Sequence, residues 1–178
     1  MTDSIKFLKT REVKSPTRSH MSDAGIDFYV PEFTPIFIKD LAAKNSWMTK
    51  EKIMNFIKDK SFVLFPQQRV LIPSGIHCQM SGNQRALIAF NKSGVAANLG
   101  LVVGSAIVDI DYQGEIHLSL INTSNESVTI TAGMKIVQFI EMPIINSYIE
   151  IIEEKTINEF YEKETVRGAK GFGSSDKI

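Results

Sequence analysis

The sequence predicts an all-β domain, a sandwich or barrel with a short helical insertion, on three observations. Its apolar residues fall mostly in short runs of strand length. Turn chemistry separates those runs: Pro66, Pro73-Ser74-Gly75, Ser81-Gly82-Asn83, Asn122-Thr123-Ser124-Asn125 and Ala132-Gly133 favour hairpins and corners over βαβ crossovers. With 178 residues the chain fits one domain, and it can bury about two-thirds of its unfolded surface.

Taken in order, the predicted strands cover residues 5–9, 25–29, 69–73, 76–80, 85–90, 101–103, 116–122, 128–130, 135–142 and 148–152. The run at 25–29 is entered through the small-residue turn Ser22-Asp23-Ala24-Gly25. One segment, residues 36–60, reads as helical. Thr49 is a candidate N-cap there, and Ile53, Met54, Phe56 and Ile57 share an apolar side opposite Lys and Asp. We read it as an insertion covering sheet surface or a subunit boundary, with Trp47 and the apolar stripe as the alternative docking face for a protein partner.

Twenty basic and twenty acidic residues cancel, so no global field draws in nucleic acid or an anionic membrane. A polyphosphate ligand must therefore be held by local groups and a metal ion. Cys78 is the single cysteine; it excludes an internal disulfide, sits in a strand run as a core thiol, and fits a reducing, intracellular setting. No apolar run reaches the roughly 18 residues of a membrane helix, and Met1-Thr2-Asp3-Ser4 lacks a signal-peptide pattern, so a cytoplasmic protein is expected.

Five polar clusters carry candidate chemistry. Asp27 stands between Ile26 and Phe28 at a strand start, as a turn or edge residue or as a site carboxylate. Asn91-Lys92-Ser93-Gly94 follows an apolar run and opens a short helical stretch; its ammonium, hydroxyl and N–H groups suit an anion, and the same residues suit an ordinary turn or cap. In Val108-Asp109-Ile110-Asp111-Tyr112-Gln113-Gly114-Glu115 the two aspartates share a face if the chain is extended. One of them can deprotonate a water while the phenol ring walls a sugar. Gln138, the uncharged polar residue of its run, can orient water or phosphate, or make a cross-strand hydrogen bond. The fifth cluster, Arg167 to Ser175, joins three glycines, two cations, two hydroxyls and Phe172. It is expected to be mobile until an anion carrying a flat ring orders it: Arg167, Ser174 and Ser175 on phosphate, Phe172 on a base.

Ala24-Gly25-Ile26-Asp27, Lys92-Ser93-Gly94, Val108-Asp109-Ile110-Asp111-Tyr112, Gly133-Met134-Lys135-Ile136-Val137-Gln138 and Arg167-Gly168-Ala169-Lys170-Gly171-Phe172-Gly173-Ser174 resemble, in order, the five motifs of the trimeric deoxyuridine triphosphatases, the dUTPases. The resemblance spans nearly the whole chain outside 36–60; that insertion suits a phage or viral member of the family. It implies a jelly-roll β-barrel spanning 1–178 as one domain, and a homotrimer with shared sites: motifs one, two and four from one subunit, three from a second, five from a third.

The implied reaction is dUTP plus water giving dUMP and pyrophosphate, which limits uracil incorporation into DNA and supplies dUMP for dTMP synthesis. By resemblance Asp109 is the general base and Gln138 places its water. Lys92, Ser93 and Gly94 cradle phosphates. Ala106, Ile107 and Val108, with His117, read the uracil edge, and Tyr112 rejects a 2′-hydroxyl. Arg167, Gly173, Ser174 and Ser175 clasp the distal phosphates under Phe172. The implied cofactor is Mg²⁺, held mainly by the substrate phosphates, with Asp27 reaching it through water. The chain departs from the family at Lys92, where Arg is usual, and at Ala106 and Lys170, where Gly is usual. Two other functions fit parts of the same sequence: a dCTP deaminase of the same barrel type, disfavoured by Asp109-Ile110-Asp111-Tyr112 and Phe172, and a nucleotide-gated regulatory protein using residues 36–60. No motif lies in 36–60, so the insertion is expected to be dispensable for chemistry.

Overall fold

The computed structural model describes residues 4–49, 59–82, 84–153, 155–161, 163 and 165–169. The chain divides into two compact units, Met1–Ile145 and Asn146–Ile178. In the first unit the elements are β1 (Ile5–Lys9), β2 (Ile26–Tyr29), α1 (Pro35–Lys44), β3 (Ser61–Leu64), β4 (Arg69–Pro73), β5 (Ile76–Met80), β6 (Arg85–Asn91), α2 (Ser93–Leu99), β7 (Leu101–Val103), β8 (Ile107–Asp109), β9 (His117–Asn122), β10 (Val128–Thr131) and β11 (Lys135–Pro143). In the second, α3 (Ile157–Phe160) is a single turn with a capping box between Thr156 and Glu159.

Among the described residues the strand pairs are all antiparallel, in four small sheets: β1-β5, β10-β3, β2-β11-β6-β8 and β4-β9-β7. Their inner faces meet in one apolar core, where Phe28 stacks tilted on Phe139 at 4.6 Å and edge-on to Phe7 at 5.7 Å. The alternation that places this core is plain in β9, whose residues are alternately half-buried and buried. Asn122 ends that strand fully buried, its amide donating to Leu64 O and Glu126 O.

The structure departs from the sequence reading in four places. Residues 61–64 and 107–109 are strands where none was predicted; both are short, and the second lies inside what read as a polar cluster. Residues 148–152 form no strand. Their Ile and Tyr content gives β propensity, but a strand needs a partner edge, and among the described residues they pair with none. After Asp109 the chain turns at Ile110 and Asp111, with Tyr112 N–H donating to Asp109 O at 3.2 Å, so the two aspartates are not displayed on one extended face.

The helical character expected of the 36–60 region is present at its start, in α1. Thr34 caps it, accepting from Phe37 N at 3.2 Å, and Pro35 takes the first turn, where its missing N–H costs nothing. Thr49 as an N-cap, with the stripe Ile53, Met54, Phe56 and Ile57, concerns a helix at residues outside those described. α1 is no detachable extra. Phe37, Ile38 and Leu41 are buried in the core, and Asn45 stitches the helix end to β4: its amide donates to Leu41 O and Leu71 O and accepts from Leu71 N, doing for that edge what a neighbouring strand would. Trp47 is spent internally too, its ring beside Phe62 and its N–H on Arg69 O at 3.0 Å. Of the two roles weighed for the segment, the described part fulfils the covering one. No helix among the described residues is long and apolar enough to cross a membrane.

Candidate active site

The site residues are positioned by the four-stranded sheet. Register places Gln138 on β11 opposite Asp27 on one side and opposite Phe90 of β6 on the other. One residue past Phe90, Asn91 ends the strand, and Lys92 and Ser93 open α2. Sequence positions more than a hundred apart thus converge on one end of the sheet.

At that end Asp27 is buried, with both carboxylate oxygens engaged. Lys92 Nζ donates to Oδ1 and Lys135 Nζ to Oδ2 at 2.8 Å, while Ser19 Oγ lies 3.4 Å from Oδ2. Burial alone would raise the Asp27 carboxyl, but hydrogen bonds from Lys135 and Lys92 outweigh it and hold the group below the usual carboxylate range. The same contact raises Lys135, against a smaller effect of burial. A buried carboxylate facing two ammonium groups leaves one positive charge in excess, a place suited to an anion. Gln138 is aimed by two neighbours. Its amide donates to Asn91 O at 2.8 Å, and its carbonyl end lies where a Cβ on Gly25 would stand, at 2.2 Å. Gly25 is glycine because the glutamine occupies that space.

The other cluster is carried by β8 and the chain that follows. Asp109 ends β8, exposed, opposite Ala86 of β6. Beside it is a cavity of about 250 Å³ whose wall contains Ser105, Ala106, Ile107, Val108, Tyr112 and His117, with Ile116 and Phe139. The Tyr112 ring folds over Gly114, where a Cβ would meet its hydroxyl at 2.3 Å, and the hydroxyl donates to Glu115 O at 3.1 Å. His117 Nδ1 lies 2.8 Å from the same carbonyl oxygen and so carries a proton there. Its Nε2 is buried without a hydrogen-bond partner among the described residues, an atom open to a ligand group.

The two clusters do not meet within one chain. Gln138 is in the row of Phe90 and Asp109 in the row of Ala86. Four residues along β6 is about 13 Å, and crossing two strand spacings brings the backbone separation to about 16 Å.

Of the sequence-predicted residues, the fold brings Asp27, Lys92 and Gln138 together with the start of α2, at Ser93 and Gly94. It separately groups Asp109, Ala106, Ile107, Val108, Tyr112 and His117. Arg167 is described and exposed, next to Gly168 at φ +52°. Phe172, Gly173, Ser174 and Ser175, the mobility expected of the tail, and the departure at Lys170 lie outside the described residues.

The sequence reading gave no role to Lys135, although it lies in the same short motif as Gln138, nor to Asn91. It also passed over Arg11, Asp40 and Glu115. Only Glu115 had a signal, inside the acidic cluster; Arg11 and Asp40 stand in stretches with no motif at all.

A direct protein metal site does not fit these residues. No group of three His, Cys, Asp or Glu side chains among the described residues could hold an ion, and both oxygens of Asp27 face lysines. An ion brought on substrate phosphates needs no such group, and the lysines around Asp27 suit the phosphates that would carry it.

Comparison with known proteins gives a consistent result. The dUTPase family model matches residues 53–176. The deoxyuridine 5′-triphosphate nucleotidohydrolase of Legionella pneumophila (strain Paris) is 35% identical over 114 residues, covering 63% of this chain and 70% of the relative. That of Wolbachia pipientis subsp. Culex pipiens is 39% identical over 121 residues, 67% of this chain and 75% of the relative. Among solved structures, a mutant dUTPase of Staphylococcus bacteriophage 80alpha with dUpNHpp aligns with a TM-score of 0.70 at 20% identity, over 98% of this chain and 99% of that one. A mutant dUTPase of phage phi11 of S. aureus, described with a structural Mg(II) ion, aligns at 0.63 and 17% identity, over 85% and 98%. These fold likenesses bear out the all-β, jelly-roll-like barrel expected from the sequence.

Proposed function

The chain belongs to the dUTPase family and is a dUTP diphosphatase, and from that premise we propose how its residues perform the hydrolysis. Deoxyuridine enters the cavity beside β8. Backbone groups of Ala106, Ile107 and Val108 and the buried Nε2 of His117 meet the base, and the Tyr112 ring covers the sugar face where a 2′-hydroxyl would project. Asp109 takes a proton from a water held by Gln138. The water oxygen forms a bond to the α-phosphorus as the bond to the bridging oxygen breaks, so pyrophosphate leaves and dUMP is left in the cavity.

The triphosphate runs to the end of the sheet where Lys92, Ser93, Gly94 and Lys135 gather positive charge and N–H donors. Mg²⁺ carried on the phosphates would neutralise charge on the leaving pyrophosphate. Arg167, Phe172, Gly173, Ser174 and Ser175 close over the phosphates and base. The whole of 1–178 serves as one functional unit. Docking of a protein partner at the 36–60 segment would not use Trp47 or the buried face of α1, which are spent internally.

The observation that carries this reading is the register that puts Gln138 opposite Phe90 and Asp109 opposite Ala86, two strands apart, a backbone separation of about 16 Å at ordinary strand spacing. One water cannot be shared across it, so the base and the residue that places its water come from two copies, as in a homotrimer with shared sites. Asp109→Asn should keep assembly and nucleotide binding and lower turnover by about 10²- to 10⁴-fold. Co-assembling that variant with Gln138→Ala, each inactive alone, should restore part of the activity, because some sites then receive an intact residue from each copy. No recovery in mixed assemblies would overturn the shared site.

A further inference from the structure

We propose that Arg11, held by Asp40 of α1, is a positioning residue for the nucleoside cavity, acting through Glu115 on Tyr112 and His117; the inference rests on the cavity's being the deoxyuridine site. One carbonyl oxygen, that of Glu115, takes both the Tyr112 hydroxyl at 3.1 Å and His117 Nδ1 at 2.8 Å. His117 is also fixed by its strand. Tyr112 is not: it follows a turn, is partly exposed, and this hydrogen bond anchors its outer end. Wherever the Glu115 carbonyl goes, the Tyr112 ring follows.

Glu115 is held unusually firmly for a residue in an irregular connection. Its Oε1 accepts from Arg11 Nε at 2.8 Å and from Gly75 N at 2.6 Å, and its Oε2 from Arg11 Nη2 at 3.1 Å. This is a two-armed guanidinium grip with a third donor from the turn between β4 and β5. Arg11 Nη2 also donates to Asp40 Oδ2 at 2.8 Å, which ties the cluster to α1. The Arg11 and Glu115 side chains are 14% and 17% exposed, so water competes little. Burial alone would raise the Glu115 carboxyl, yet Arg11 and the Gly75 N–H keep it below the usual range. Gly75, at φ +73°, makes the approach feasible: a Cβ there would meet Arg11 Cβ at 2.7 Å.

Arg11 and Asp40 precede the stretch 53–176 matched by the family model, and neither lies in the motifs that carry the chemistry. The arrangement gives the buried helix a connection to the cavity. Its polar edge sets the sugar wall while its apolar face fills the core.

The test uses the full-length enzyme with dUTP and UTP. Arg11→Lys keeps a charge and loses the fork; we expect KM for dUTP to rise and the preference for dUTP over UTP to fall by about ten- to a hundredfold, with saturated turnover nearly kept, as befits a misplaced wall with intact chemistry. Asp40→Asn, at a site 41% exposed and so safe for folding, should move the same two readouts less. Asp40→Glu, which can still reach Arg11, should restore them. If both variants keep KM and sugar preference while only the melting temperature drops, the cluster is structural and the proposal falls. If the wild-type enzyme shows no dUTP hydrolysis or no preference over UTP, the nucleoside cavity and this inference fall together.

Discussion

Phe37, Ile38 and Leu41 on α1 and Ile145, Tyr148, Ile149 and Ile151 near the C-terminus are the same kinds of side chain, and the molecule treats them in opposite ways. The first three are at most 2% exposed. The latter four are 73–92% exposed, and every described residue from 145 onward is exposed. α1 carries its apolar face to its own chain's core and fixes its end with Asn45. The C-terminal segment has no such cover among the described residues. Apolar content says that a surface is worth covering; it does not say by what. A row of exposed Ile and Tyr is what a segment meant for another copy would present, in keeping with the shared site proposed here.

The largest effect should separate the two regions by function. Ending the chain after Val166 removes Arg167, Phe172 and the serines of motif five; turnover on dUTP should fall by orders of magnitude while the melting temperature of what is left stays put, because every described core side chain precedes Val166. A truncated enzyme working at the full-length rate would remove the tail from the mechanism. Stability should show the reverse contrast. Phe37→Ala ought to cost about 3–5 kcal/mol in urea unfolding through the cavity it leaves. Ile149→Ala should stay within about 0.5 kcal/mol at protein concentrations where copies do not associate. A costly Ile149→Ala under those conditions would show that the segment is covered by its own chain after all. Excising residues 36–60 cannot make this comparison, since it would remove the core side chains of α1 along with the rest.

How far the sequence could be read follows from where each signal is local. Strands such as 5–9, 69–73 and 76–80 were legible to the residue because turn residues bracket them. Residues 107–109 were not, because a three-residue strand owes its existence to pairing with Ala86, Leu87 and Ile88. The site residues were legible as motifs, but their grouping was not: that Asp27 and Gln138 are neighbours while Asp109 stands two strands away is a matter of sheet order. Lys135 stood in plain view without a role because only the folded side-chain geometry, across a bulge in β11, shows that its ammonium reaches Asp27. Arg11 and Asp40 had no local signal at all, and a lone Arg beside a strand says nothing until the fold places Glu115 against it.

The smallest contrast concerns acid. Asp27 and Glu115 have folded-state pKa values below their ordinary 3.8 and 4.5, so in this range the unfolded chain binds protons more readily than the folded one. Their contribution is complete above about pH 5 and is lost as pH falls through 4.5 and 3.8 toward the folded values. Glu159 of the C-terminal segment is also held low, by hydrogen bonds to Thr156, but it is fully exposed and should add nothing measurable. Urea midpoints followed from pH 7 to 3.5 should therefore decline on the acid side in the wild-type protein. Glu115→Gln should flatten that decline at the cost of a lower plateau, because the Arg11 guanidinium then faces a neutral amide at every pH. Glu159→Gln should trace the wild-type curve. If the Glu159 variant flattened the acid limb and the Glu115 variant did not, acid sensitivity would belong to the exposed segment, and the division between a self-covered region and one awaiting a partner copy would have been drawn in the wrong place.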